Sequence, residues 1–137
     1  MKVMFAVSVL SLVALFASAK PTSATTRAGD LKVYCETAEE NHTKGTLTAE
    51  NGFCMGYIAS FLQMVDSKPI FRIDGKYYGL TTARGITTGD AVITFANYMK
   101  AHPEKANDDP ANAILLEVFL EAKVIAIVPV VENSQIQ

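Results

Sequence analysis

Cys35 and Cys54 are the only cysteines of this 137-residue chain, and the segment ahead of them decides what they can do. Lys2 is followed by an apolar run from Val3 to Ala17, broken only by Ser8 and Ser11, and Ala17-Ser18-Ala19 supplies the small-x-small pattern that signal peptidase reads. This predicts a secretory signal peptide over residues 1–19, cleaved after Ala19. The competing reading is a transmembrane anchor, but the run is short against the about 20 residues that a bilayer needs. No cysteine stands at the cleavage point, which argues against a lipid-anchored lipoprotein. An exported chain meets an oxidising compartment, where two lone cysteines are a natural pair. A Cys35–Cys54 disulfide would close a loop worth roughly 3 kcal/mol in the chain-entropy picture. The alternative is two free buried thiols.

Charge and composition exclude several function classes. Twelve basic residues stand against fourteen acidic ones, a formal charge of −2 that becomes −3 when Lys2 leaves with the signal. A nucleic-acid binder needs a concentrated positive surface, so none is expected as a partner. Two Cys and two His cannot build a zinc ribbon, an iron–sulfur site or a multi-disulfide scaffold. His42 falls in a polar stretch and His102 at a helix end, where surface or capping roles are expected rather than metal ligation. No G-x-S-x-G, H-E-x-x-H or Gly-rich phosphate loop occurs. No metal, cofactor or catalytic residue is therefore assigned, and the chain is not expected to be an enzyme.

The expected organisation is a flexible leader over residues 20–28, one domain over 29–131 and a disordered tail over 132–137. The fold class is mainly α: a compact four-helix domain with a short β-hairpin insert and one disulfide. A first helix starts near Gly29-Asp30, with Asp30 as N-cap, and puts Leu31, Tyr34, Cys35 and Ala38 on one face. Asn41 to Leu47 reads as a polar loop. Thr48 caps a second helix, whose apolar stripe runs through Phe53, Cys54, Tyr57, Ile58, Phe61, Leu62 and Val65. Gly52, Gly56 and Ser60 lie four apart beside that stripe and are expected to admit another helix closely. Cys35 and Cys54 sit at matched offsets from the intervening loop, so an antiparallel helical hairpin brings the sulfurs to one height.

Beyond Pro69 the pattern changes. Ile70 to Ile73, the pair Asp74-Gly75, and Lys76 to Leu80 predict a two-stranded hairpin with a type I′ turn. Such a hairpin is marginal alone and must lean on the helices or a partner. Thr87 and Asp90 predict a capping-box-like start to a third helix, with Val92, Phe95, Ala96 and Met99 inward and His102-Pro103 as its stop. A fourth helix is expected from Asp109-Pro110, with Asp109 as N-cap and Pro110 at the first helical position. Its core stripe is Ile114, Leu115, Val118, Phe119 and Ala122, widened by Leu116 and Leu120. Val124 to Val131 is β-branched-rich and either ends that helix or runs on as an extended tail. Two acidic groups, Glu36-Glu39-Glu40 and Glu104-Asp108-Asp109, read first as solvated charge and second as docking surfaces for a basic partner. Asn41-His42-Thr43 fits a glycosylation sequon, which matters only in a eukaryotic secretory pathway.

Three segments carry a family resemblance. Cys54-Met55-Gly56-Tyr57-Ile58-Ala59 resembles the C-x-G-Y-I-x motif of the Rap1a/Tai immunity proteins. Gly85-Ile86-Thr87-Thr88-Gly89-Asp90-Ala91-Val92 is similar to their G-V-T-x-x-Q-x-V helix start, and Tyr98 to Glu104 to their Y-L-x-x-H-P-E element. With the secretion signal and the early Cys35, the likeness spans roughly residues 31–130. Two departures stand out. Family members commonly carry a second cysteine pair, whose places here fall near Thr81 and at Val130, and the stretch from Pro69 to Leu80 looks more hairpin-like than theirs.

The resemblance implies a non-enzymatic, mainly helical periplasmic protein of a Gram-negative bacterium. Its partner would be a cognate peptidoglycan amidase toxin delivered by type VI secretion, bound so that the active site is blocked. It also implies a homodimer, and no membrane contact after signal cleavage. Another class of function is a periplasmic holdase chaperone or stress protein, which would expose apolar surface on acidification and bind many clients rather than one toxin tightly. For toxin binding the hairpin is the leading candidate, through Phe71, Arg72, Asp74, Tyr77 and Tyr78, because aromatics and Arg are enriched at interface hot spots. Strand alternation would turn about half of these side chains inward. Glu104, Asp108 and Asp109 are the second candidate.

Overall fold

The computed structural model describes residues 26–107 and 109–131. The expected signal peptide, most of the leader, Asp108 and the tail lie outside them. In chain order the elements are α1 (Ala28–Glu36), α2 (Ala38–Lys44), α3 (Ala49–Asp66), β1 (Ile70–Ile73), β2 (Lys76–Thr82), α4 (Thr88–Ala101), a 3-10 turn (Pro103–Ala106), α5 (Ala111–Glu121) and β3 (Ile125–Pro129). α1 and α2 are one helical segment broken at Thr37, so the four expected helical segments are present.

α1 is short but central. It packs against α3, α4, α5 and the 3-10 turn, and Ala28, Leu31 and Cys35 are fully buried along it. Around them the core gathers Ile58 and Val65 of α3, Phe95 and Met99 of α4, and Ile114, Leu115 and Phe119 of α5. The Phe61 and Phe119 rings meet edge to face at 5.8 Å, the arrangement that the ring quadrupoles favour.

The helix starts are where short-range reasoning and the structure part. α1 begins at Ala28 with Arg27, not Asp30, as N-cap, and α5 begins at Ala111 with Pro110, not Asp109, as N-cap. Neither start has a side-chain cap. Instead, each borrows the other's backbone. Ala28 N–H donates to the Asp109 carbonyl at 3.1 Å, and Ala111 N–H donates to the Thr26 carbonyl at 2.9 Å. Arg27 and Pro110 form an antiparallel bridge between them. Amides at a helix start have no intrahelical acceptor, and here two starts satisfy one another. Residues 26–28, expected in the leader, are thus built into the domain.

Residues 41–44, expected in a loop, belong to α2, which ends at Gly45 in the left-handed conformation. α3 starts as expected. Thr48 and Asn51 form a capping box, and Asn51, which the apolar pattern passed over, is buried. Its Oδ1 accepts from Thr48 N–H at 3.2 Å and from Asn41 Nδ2 at 2.7 Å. Its Nδ2 donates to the Tyr34 carbonyl at 3.0 Å and to Thr37 Oγ1 at 3.1 Å. One amide therefore satisfies every hydrogen-bonding capacity it has while joining α1, the break at Thr37, α2 and α3. One turn along α3, Cys54 is bonded to Cys35, with the two Cα atoms 5.3 Å apart.

The Gly52–Gly56–Ser60 strip does not receive a helix. All three residues are exposed, and a Cβ built on Gly52 or Gly56 meets nothing within 4 Å. The close approach lies at Gly29, where a Cβ would fall 2.5 Å from the Ala106 carbonyl oxygen. Leu116 on α5 and Ala122 at its C-cap are exposed, so the buried stripe is narrower than expected, although Leu120 packs at the core margin.

The hairpin forms with the expected register, pairing Phe71 with Tyr78 and Ile73 with Lys76. Asp74 and Gly75 both take positive φ, 48° and 80°, as a type I′ turn requires. It does not stand alone. The segment after α5 is strand β3, which pairs antiparallel with β2 from Thr82↔Ile125 to Tyr78↔Pro129. The result is a three-stranded sheet of order β1-β2-β3. Leu80 and Ile125 enter the core from its inner face, with Phe71 half-buried beside them. The places near Thr81 and Val130, where the resemblance sets a second cysteine pair, fall on β2 and just past the end of β3, and here the two strands are joined by backbone hydrogen bonds.

Two stability outcomes follow. Gly29→Ala gains helix propensity but drives a methyl into the Ala106 carbonyl, so a net loss of about 1–3 kcal/mol is expected, read as a lower melting temperature. Asn51→Ala strips partners from Tyr34, Asn41 and Thr48, and urea denaturation should show a loss of about 2–4 kcal/mol.

Candidate interaction surfaces

The five hairpin candidates divide between the two faces of the sheet. Phe71 and Tyr78 stack with ring centroids 6.2 Å apart on the inner face and are both half-buried. Arg72 and Tyr77 are a cross-strand pair on the outer face, with the guanidinium 5.7 Å from the Tyr77 ring centroid. Asp74 lies exposed at the turn. Tyr77 is 46% exposed, and beside it on the same face are Ile70 at 62% and Val128 and Val130 at 38% each. Gly79 is buried among them, with methyl groups of Val128 and Val130 within 4 Å of where its side chain would begin, so the face has an apolar centre. The segment 68–85 carries Lys68, Arg72, Lys76 and Arg84 against Asp74 alone, a basic island in an acidic chain.

The second candidate is knitted into the helices. His102 ends α4 and stacks on the Tyr98 ring at 4.3 Å, with its Nδ1 3.2 Å from Glu104 Oε1. Tyr98 Oη donates to Glu117 at 2.8 Å, and Lys105 Nζ lies 3.1 Å from the same carboxylate. Burial, and then the bond to Glu117, push the Tyr98 phenol up to about 12. The hydrogen bonds from Tyr98 and Lys105 hold Glu117 below its usual range. Glu104 is exposed, whereas Asp109 is half-buried, and the Asp109 carbonyl serves the start of α1. Asp108 lies outside the described residues.

Elsewhere the acidic groups are ordinary helix-surface pairs. Lys32 reaches Glu36 at 2.7 Å, and Lys44 pairs with Glu40. The Asn41 amide of the sequon donates inward to Asn51. A groove of about 560 Å³ runs along α3 between Phe53, Gly56, Ser60 and Met64, with Tyr57 bonded to Asn112 at its side. Among the described residues, no three His, Cys, Asp or Glu side chains converge as a metal site, and no helix is long and apolar enough to cross a membrane.

The family model of the Rap1a immunity proteins matches residues 27–122. The chain belongs to the Rap1a immunity protein family. No curated protein and no solved structure matches it. Membership of a non-enzymatic immunity family agrees with the absence of a nucleophile–base or metal motif from the sequence, and it gives the chain a cognate toxin as partner. The matched region opens at Arg27, where the backbone clamp between α1 and α5 begins, and closes at Ala122 after α5. The three segments that carried the resemblance have structural roles in this Rap1a protein. The first holds the disulfide, the second caps α4 through Thr87 and Asp90, and the third builds the Tyr98–His102–Glu104 cluster. The sheet edge and outer face went unread in the sequence, since β3 was ambiguous and only its pairing with β2 creates the face.

Tyr98 should ionise later than an ordinary phenol. Its folded pKa lies above the ordinary phenol value near 10, so its contribution to stability is complete below about 10 and is lost as pH rises toward about 12. An ultraviolet titration should show that late step, and Tyr98→Phe should remove it.

Proposed function

We propose that the chain is a periplasmic immunity protein that binds a peptidoglycan amidase effector of type VI secretion and occludes its active site. The observation that carries this reading is the family match over residues 27–122, combined with a disulfide that needs an oxidising compartment. On this reading residues 1–19 are the cleaved export signal, and residues 29–131, with the short pairing segment ahead of them, form the toxin-binding domain. The mechanism is steric, with no cofactor.

The hairpin is the toxin-facing element in this proposal. Two of its features support that assignment: the narrow I′ turn at Asp74-Gly75, which can enter a cleft, and the exposed Arg72–Tyr77 pair, whose residue types dominate interface energetics. Phe71 and Tyr78 act from the inner face, holding the hairpin against the core so that the outer pair is presented rigidly. Rigid presentation lowers the ordering cost of association.

The test is calorimetry against the amidase encoded beside this chain's gene. Native protein should bind tightly and abolish hydrolysis of peptidoglycan. Arg72→Ala with Tyr77→Ala should weaken affinity by about 2–4 kcal/mol while leaving helical content unchanged. Full affinity in a normally folded double variant would move the interface to the Glu104–Asp109 region.

A further inference from the structure

One side of the β1 backbone is unused. The Tyr77 carbonyl accepts from Val130 N–H at 2.9 Å, so it points toward β3 and away from β1. Hydrogen-bonded and non-bonded pairs alternate along an antiparallel ladder. Arg72↔Tyr77 and, two residues on, Ile70↔Gly79 are therefore the non-bonded pairs between β1 and β2. It follows that the N–H and C=O groups of Ile70 and Arg72 project from the outer edge of the sheet. Among the described residues no other strand pairs there.

Edge strands left in this state are templates for another strand. Proteins commonly guard them by short length, charge, proline or a bulge; β1 is four residues long, carries Arg72 and follows Lys68-Pro69, but no proline or bulge interrupts its register with β2. The edge also runs into the apolar outer face through Ile70, so an added strand would find partners for its backbone and for alternate side chains. The surrounding charge selects the partner. Lys68, Arg72 and Lys76 make the edge basic, and a second copy pairing here would set two basic hairpins side by side, which like-charge repulsion opposes.

We propose that the amidase docks by adding an extended strand to the free edge of β1, with an acidic side chain set against Arg72 and an apolar one beside Ile70. This rests on the toxin-binding reading above and specifies how the same hairpin is used. Backbone bonds supply affinity that tolerates sequence drift, while the acidic position opposite Arg72 and the apolar one beside Ile70 supply selectivity.

The experiment uses the full mature chain and the neighbouring amidase in a catalytically inactivated form. Residue-resolved amide exchange is measured with and without the toxin. The Ile70 and Arg72 amides should exchange freely in the unbound protein and slow by about tenfold or more in the complex. Calorimetry then compares Ile70→Pro, which removes an outward donor without touching the β1–β2 ladder, with Ile70→Ala, which keeps it. The proline variant should lose about thirtyfold or more in affinity and the alanine variant only a few-fold. If proline disturbs the hairpin, seen at the Phe71 and Ile73 amides, the exchange measurement on the unaltered chain decides. A complex that forms while both amides stay unprotected overturns the strand addition and leaves the toxin reading standing. Protection already present in the toxin-free protein, together with sedimentation as a dimer, places a second copy on the edge and overturns it too. No complex with the native chain overturns the toxin reading and the docking mode together.

Discussion

The Asn51 carboxamide is the interaction on which the helical layer depends. It closes the cap of α3, receives the Asn41 amide from α2, and donates to Tyr34 near the end of α1 and to Thr37 at the break itself. Buried polar groups are costly unless fully paired, and full pairing is available in one arrangement of these three segments. The Cys35–Cys54 bond locks the same junction covalently one turn away. The two devices are complementary: the disulfide limits the unfolded chain, while the amide selects one folded geometry.

From that junction the rest of the domain follows by contact. α1, held at its C-terminal end by Asn51 and the disulfide, is held at its N-terminal end by the backbone exchange with the start of α5. Gly29 permits the second grip, because any side chain there would meet the Ala106 carbonyl. A nine-residue helix is too short to be stable alone, and being fixed at both ends lets it serve as the axis for three longer helices. The 3-10 turn after His102 sits where it does for the same reason, since it supplies the wall that Gly29 approaches.

The sheet is divided in labour. Its inner face gives Leu80, Ile125 and Phe71 to the core and so anchors the hairpin. Its outer face and the β1 edge contribute little to folding, and they hold the exposed apolar residues and the basic charge. In a family whose members act by binding rather than catalysis, that separation is useful, because a binding surface placed there can diverge without disturbing the core. The departures that the sequence resemblance implies lie in this region, in the hairpin and at the two places of the second cysteine pair.

How much of this was legible in the sequence follows from the range of the forces involved. Helix α3, the Thr87–Asp90 cap, the stop at His102-Pro103 and the Asp74-Gly75 turn are decided within a few residues, and all are read directly from the chain. The disulfide was legible too, because the export signal expected from the sequence and a single pair of cysteines leave one partner for each sulfur. The starts of α1 and α5 were not, because their amides are satisfied by each other across more than eighty residues of chain rather than by Asp30 or Asp109. Asn51 escaped notice because a polar residue within an apolar stripe gives no sign of burial until its four partners converge. Small residues at Gly52 and Gly56 offered room for a close neighbour, but local pattern cannot supply the neighbour, and packing put the close approach at Gly29. The proposed recognition surface lies furthest from the sequence: a free edge and an outer face exist only once β3 has returned to cover one side of β2, leaving β1 unpaired on the other.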